Sequence, residues 1–273
     1  MLALAVLFGT AVGLALGLTG GGGSLIAVPL LVYGLSVMPR QAVGISLAAV
    51  GAMALVGAVQ RLSRREVEVR TGLMFAVAGM LGAPIGSFLG RRVPETVLLT
   101  SFAILMVVVA ALMWRKASRR PEEAAVVRAP GAKRPANEGG VSCRRDPAGR
   151  LRMTSRCAMV MAAAGGVTGV LSGLFGVGGG FVVVPALVLF SGMGIHRAVA
   201  TSLLVIALVS ASGVASYLLS GESLPVDVTT LFVVGGITGL GLVFAHKLSP
   251  VALQKVFAVA IVVVAAFVIV NVA

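Results

Sequence analysis

Ten apolar segments divide this chain, and most approach the ~20 residues that a helix needs to cross a hydrocarbon core. They run Leu2 to Leu18, Leu25 to Met38, Ala42 to Val59, Gly72 to Leu89 and Val97 to Trp114, then Cys157 to Phe175, Phe181 to Met193, Ala198 to Leu219, Val228 to Ala245 and Val251 to Val270. At that depth no water is available to pair backbone N–H and C=O groups, so each segment must satisfy them internally as a helix. Of 273 residues, 58% are hydrophobic and only 11% charged, where a soluble domain carries about a quarter. The chain reads as an all-α integral membrane protein. The apolar N-terminus has no positive n-region and no small-residue cleavage site, so it is kept as mature structure rather than as a signal peptide.

The net charge of +13 is concentrated in one place. Twelve of the 22 Lys and Arg lie between Arg115 and Arg156, against four acidic residues, which leaves +8 in that stretch. Rich in Arg, Pro, Gly and Ala, it lacks the apolar content for a core and reads as a disordered cytoplasmic linker beside anionic lipid, not as a nucleic-acid surface. Cys143 and Cys157 fall in or at the end of it, and a reducing cytoplasm would keep both as thiols.

The segments form one set of five, repeated. A shift of 156 residues lays Gly17-Leu18-Thr19-Gly20-Gly21-Gly22-Gly23 on Gly173-Leu174-Phe175-Gly176-Val177-Gly178-Gly179 and Val28-Pro29 on Val184-Pro185. The register continues without a gap: Ala42-Val43 falls on Ala198-Val199, Ser46-Leu47 on Ser202-Leu203, Gly79 on Gly235 and Pro94 on Pro250. Over Gly17 to Leu47, 13 of 31 positions are identical. This divides the chain into a first transmembrane repeat (1–114), the linker (115–156) and a second repeat (157–273).

Leu25 to Met38 and Phe181 to Met193 would reach only ~20 Å as helices, against a core of ~30 Å. Each follows a glycine cluster and carries a proline, Pro29 or Pro185, either in its first turn or as a kink in a helix that begins earlier. Each half is thus a glycine-interrupted or re-entrant pair plus three further transmembrane helices. The short segment spans or re-enters, giving five or three crossings; either odd number inverts the second half. Placing the linker and the Arg61, Arg64, Arg65, Arg70 loop inside puts 19 Lys and Arg in the cytoplasm and three (Arg40, Arg91, Arg92) outside, with both termini outside. Four crossings per half would give parallel repeats, but at the cost of an acidic turn inside and Lys247 outside.

Inverted repeats with paired interruptions point to a secondary transporter whose site lies where the interruptions meet. Glycine lets backbone turn with φ > 0 and aim successive N–H groups at one spot, and a following half-helix adds its positive end. The candidate site is therefore Thr19, Gly20, Gly21, Gly22, Gly23 and Ser24 facing Gly176, Gly178, Gly179 and Gly180, with Ser46, Thr201 and Ser202 as further hydroxyl donors. Gly9, Gly13, Gly51 and Gly57 have no such pairing and read as packing glycines. No Asp or Glu falls within any span. Cation carriers usually depend on such carboxylates, so a small anion suits this inventory better. No metal cluster, phosphate loop or nucleophile elbow is present in the sequence, so no catalytic residue, metal or cofactor is assigned.

GLTGGGGSLIAVPLL and its second copy GLFGVGGGFVVVPALVL, each followed by A-V-x-x-S-L, resemble the duplicated signature of the TauE/SafE sulfite exporter family. The resemblance covers both halves but not the linker. It implies an inner-membrane, multi-pass carrier of sulfite, organosulfonates or related sulfur oxyanions, usually exporting, although some relatives are assigned to uptake. The sequence departs from an even duplication at Thr19 and Ser24, which face Phe175 and Gly180 in the second copy. The expected mechanism is alternating access of one repeat against the other. An alternative function is a membrane scaffold or assembly factor that recruits a partner through its basic linker. Homo-oligomerisation is open in either case.

Overall fold

The computed structural model describes residues 2–21, 23–94, 155–176 and 195–221, with parts of 96–107, 180–193 and 227–237. All regular structure among the described residues is helical: α1 (Leu2–Thr19), α2 (Gly23–Pro29), α3 (Pro39–Ser63), α4 (Val69–Arg92), α5 (Ser155–Phe175) and α6 (Ile195–Leu219). Most of the basic linker, Gly22, residues 177–179 and the segment Val251 to Val270 lie outside the described residues. Four helices among those described, Pro39–Ser63, Val69–Arg92, Cys157–Phe175 and His196–Leu219, are long and apolar enough to cross a membrane.

The helices outrun the apolar segments because their ends are built from polar residues. α3 begins at Pro39, whose missing N–H is harmless in the first turn. It ends in a Schellman motif: Glu66 N–H reaches Arg61 O at 3.2 Å and Arg65 N–H reaches Leu62 O at 3.0 Å. Arg65 closes the turn at φ 56°, in the left-handed region. At the end of α6, 156 residues on, Gly221 occupies the corresponding position at φ 77°. An L-residue there costs about 1–2 kcal/mol, while glycine gives up about 0.5–1 kcal/mol through the unfolded chain. Arg65→Gly should therefore stabilise the protein by up to about 1 kcal/mol, readable as a rise in melting midpoint in detergent.

The two readings of Pro29 are settled in favour of an earlier start. α2 begins at Gly23, so Pro29 is its seventh residue, and a π-helical turn follows over Leu30–Gly34. Proline cannot donate to the carbonyl four residues back, and its ring crowds that carbonyl. Widening the next turn takes up the misfit. Cys157 is disulfide-bonded, which corrects the expectation of a free thiol. It is buried at the start of α5.

Packing runs across the two halves. On α4 the residues Leu73, Val77, Leu81 and Ile85 form an exposed stripe, 50 to 70% accessible, that suits lipid and not water. The opposite face, Gly72, Phe75, Ala76, Gly79, Gly82, Ala83 and Gly86, is buried. It lies along α5 in parallel: Gly165 meets Phe75, Gly169 meets Gly79, Gly173 meets Ala83 and Gly86 meets Val170, all backbone against backbone. α1 packs in the same way on residues 232–236, with Gly9 on Phe232 and Gly13 on Gly236. Between these pairs, α3 and α6 cross antiparallel: Gly57 sits on Leu203, Gly51 on Ser210, and Gly213 on Leu47. The Gly57–Leu203 and Leu47–Gly213 contacts exchange residues 156 apart, as a two-fold relation requires. The packing role expected of Gly9, Gly13, Gly51 and Gly57 is what these contacts display.

Candidate functional site

Both glycine clusters open with the same turn. α1 and α5 each close on a glycine that donates to the carbonyl four residues back, Gly20 N–H to Leu16 O at 2.8 Å and Gly176 N–H to Ser172 O at 2.9 Å. Gly20 has φ 73° and Gly176 φ 69°, conformations that an L side chain adopts only under strain. Each glycine also lies against the helix of the other half. A Cβ on Gly20 would stand 2.8 Å from Val199 Cα, and one on Gly176 would stand 2.6 Å from Val43 Cα. Val43 and Val199 are themselves 156 residues apart, so the two contacts are mirror versions of one.

Past these turns the clusters meet. Gly21 and Gly180 touch backbone to backbone with no space for a side chain on either, and a Cβ on Gly180 would also press on the Ile206 side chain. Ile206 stands near the middle of the 25-residue α6, about 16 Å from its start at the helical rise. Gly21 and Gly180 therefore meet near the middle of α6, and among the described residues no ionised side chain is part of the contact.

The hydroxyls fall into three groups. Ser24 Oγ donates to Gly21 O at 2.6 Å, which pins the turn into α2. Ser202 Oγ lies 2.5 Å from Gly20 O and 2.8 Å from Val199 O, so its proton locks the first glycine turn onto α6. Thr201 instead accepts the Glu68 N–H at 3.0 Å and serves the start of α4. Ser46, the repeat mate of Ser202, is wholly buried and has no partner among the described residues. Gly23 packs against Val12 and Leu16 of α1. Thr19 ends α1; its side chain, and all of Gly22, Gly178 and Gly179, lie outside what is described.

Sequence reasoning missed Val43, Val199 and Ile206, which clamp the glycine turns, because apolar residues in apolar segments carry no signal. It also missed Ser172, wholly buried with no partner among the described residues. Beside the Val43–Gly176 contact a small apolar cleft of about 10 Å³, room for about one water, is lined by Val28, Pro39, Val43, Leu98, Phe102 and Phe175.

Charge is confined to the helix ends. At one end Arg61 lies 3.5 Å from Glu66 and 3.4 Å from Gly17 O, and Arg197 lies 3.8 Å from Glu68. At the other, Arg40 reaches the Arg91 carbonyl at 3.4 Å and Arg92 lies 4.3 Å over the Phe88 ring. No group of three or more His, Cys, Asp and Glu that could hold a metal occurs among the described residues.

Four helices long and apolar enough to span a bilayer, an exposed apolar stripe on α4, and a contact between Gly21 and Gly180 of the two halves with no ionised side chain in it among the described residues define a polytopic integral membrane protein. The chain belongs to the Sulfite exporter TauE/SafE family, which it matches over residues 5–268. It is similar to a "Probable membrane transporter protein" of Xylella fastidiosa (strain 9a5c), 34% identical over 96% of this chain and 92% of the relative. A protein of the same description from strain Temecula1 / ATCC 700964 gives the same figures. It is also similar to "Probable membrane transporter protein YunE" of Bacillus subtilis (strain 168), at 30% identity over 80% of this chain and 78% of the relative. No solved structure matches the chain. The protein is a membrane transporter and not an enzyme.

Proposed function

We propose that this transporter carries a small sulfur oxyanion, sulfite or a short organosulfonate, across the inner membrane by alternating access around the two glycine clusters. The observation that carries the reading is the meeting of Gly21 and Gly180 near the middle of α6, the first directly after the left-handed Gly20 and the second four residues after the left-handed Gly176. Backbone N–H groups and hydroxyls can hold an oxyanion there without a buried cation. The candidate residues are those of the two clusters with Ser46, Thr201 and Ser202. Inverted repeats over 1–114 and 157–273 are supported by α3 and α6, which run antiparallel although they begin and end 156 residues apart.

Sidedness follows from charge. Arg61 and Arg197, with Glu66 and Glu68, share one helix end, and Arg40 and Arg91 the other. With the first end and the 115–156 linker in the cytoplasm, most of the basic charge is inside, both termini are outside, and the linker lies against anionic lipid. The packing favours one change to a scheme in which repeat rocks against repeat. α4 of the first half is seated on α5 of the second, so each moving body draws helices from both halves.

The test is flux of sulfite and methanesulfonate in proteoliposomes, with Gly21→Val and Gly180→Val for comparison. Wild-type protein should transport at least one of them, and the variants should lose that transport. Wild-type-like flux in folded variants would take the clusters out of the site. Deleting residues 117–150 should leave much of the flux; a scaffold acting through its linker would instead lose its function while never having shown flux.

A further inference from the structure

Ser46 and Ser202 are repeat mates, yet they are not equivalent. Ser202 is held to Gly20 O and Val199 O, the ordinary fate of a helix serine. Ser46 is equally buried but has no acceptor among the described residues. A second hydroxyl in the same condition, Ser172, lies on α5. Leaving a buried hydroxyl unpaired is unfavourable, and a helix offers an easy remedy in the carbonyl of the preceding turn. Among the described residues three serines do not take it, Ser46, Ser172 and Ser210; Ser210 faces Gly51 in the α3–α6 interface, while the other two share a different place.

Ser46 is three residues beyond Val43 on α3, on the same helix face, and Ser172 is the α5 residue whose carbonyl accepts the Gly176 N–H at 2.9 Å, so each lies one turn from a residue of the Val43–Gly176 contact. α4 runs parallel to α5 and to α6, and α6 runs antiparallel to α3, so α3 and α5 are antiparallel. Both serines are then displaced from the contact in the same direction, Ser46 by about 4.5 Å and Ser172 by about 6 Å. They flank the approach to the second glycine turn at one depth, from opposite halves of the chain.

We propose that Ser46 and Ser172 are paired hydroxyl donors to the oxygens of the transported oxyanion. The assignment rests on the oxyanion reading above and adds to it the residues that set affinity. It accounts for the similar depth, the complete burial and the absence of a partner among the described residues. Without the anion the two hydroxyls are a liability to the fold; with it they are satisfied by a charged acceptor, the stronger kind of hydrogen bond.

The experiment uses the full chain in detergent, with sodium sulfite and sodium methanesulfonate as probes, read by thermal shift and by flux after reconstitution. Ser46→Ala and Ser172→Ala should raise the anion-free midpoint by about 2–4 °C, since each removes an unpaired hydroxyl. They should weaken the anion-induced shift and raise KM roughly ten- to hundredfold. Ser210→Ala is the control: this serine is also buried and unpartnered but faces Gly51 in the α3–α6 interface, so its midpoint should rise with affinity unchanged. A lower anion-free midpoint in Ser46→Ala and Ser172→Ala, or unaltered affinity, overturns the assignment while leaving the oxyanion reading intact. A wild-type protein that neither shifts with nor transports either anion overturns the oxyanion reading, and the assignment with it.

Discussion

Gly20→Ala and Gly176→Ala should each cost the protein about 1–4 kcal/mol, while Gly221→Ala should cost about 1 kcal/mol or less. All three glycines have φ near 70° to 77°, so an alanine at any of them meets the same left-handed penalty of about 1–2 kcal/mol, of which about 0.5–1 kcal/mol is returned through the unfolded chain. They differ in what the new methyl would touch. At Gly221 nothing lies within 4 Å. At Gly20 the methyl would stand 2.7 Å from Val199 Cγ1, 2.8 Å from Val199 Cα and 2.9 Å from Ser202 Oγ, and at Gly176 it would stand 2.6 Å from Val43 Cα and 2.8 Å from Val43 O. Backbone atoms cannot rotate away, so overpacking adds roughly 1–3 kcal/mol at these two sites alone. Melting midpoints of the three variants in one detergent decide the matter. Equal losses would mean that backbone conformation, and not the contact across the halves, is what the glycines provide. Transport should fall with stability in the first two variants and persist in Gly221→Ala, because Gly221 lies at the far end of α6 from Val199 and Ser202.

The match of Gly20 with Gly176 was legible because a duplicated chain prints its symmetry as a fixed offset, and the same offset joins the bounds of α3 to those of α6. What symmetry could not convey is where it is broken. Ser46 and Ser202 are the same residue at the same place in each repeat, and only the fold reveals that one is bonded and the other is not. Nor does the sequence disclose that Thr201 Oγ1 accepts the N–H of Glu68, a residue 133 positions away. Pro29 illustrates a local limit. A proline after a glycine run suits a first turn or a kink equally well, and the choice depended on how tightly α1 holds Gly23, which places the start of α2 six residues upstream. The sequence also gave no hint that α4 belongs with α5, since both are apolar, glycine-bearing helices with several conceivable neighbours.

That pairing carries the second large effect. Gly169→Ala should lower the midpoint by about 6–12 °C, whereas Gly79→Ala, at the same contact from the other side, should change it little. A methyl on Gly169 would overlap the Gly79 carbonyl, with Gly79 Cα also 2.7 Å away, so it meets backbone that can yield only if the helices part. A methyl on Gly79 meets the Val209 Cγ2 at 2.6 Å, the end of a side chain that can turn, and the Gly165 carbonyl at an unstrained 3.4 Å. Alanine's better helix propensity, about 1 kcal/mol, then offsets most of what remains at Gly79. Small residues that bring two backbones together are the main adhesive between helices in lipid, where the hydrophobic effect no longer favours association. If α4 and α5 are held this way throughout the cycle, joining them covalently should not slow it. A disulfide between Gly90→Cys and Leu174→Cys, where a Cβ on Gly90 would lie 3.7 Å from Leu174 Cα, introduced with Cys143 and Cys157 replaced, should leave flux near that of the reduced protein. Flux stopped by oxidation and restored by reduction would show that α4 moves against α5, and that the transporter works repeat against repeat.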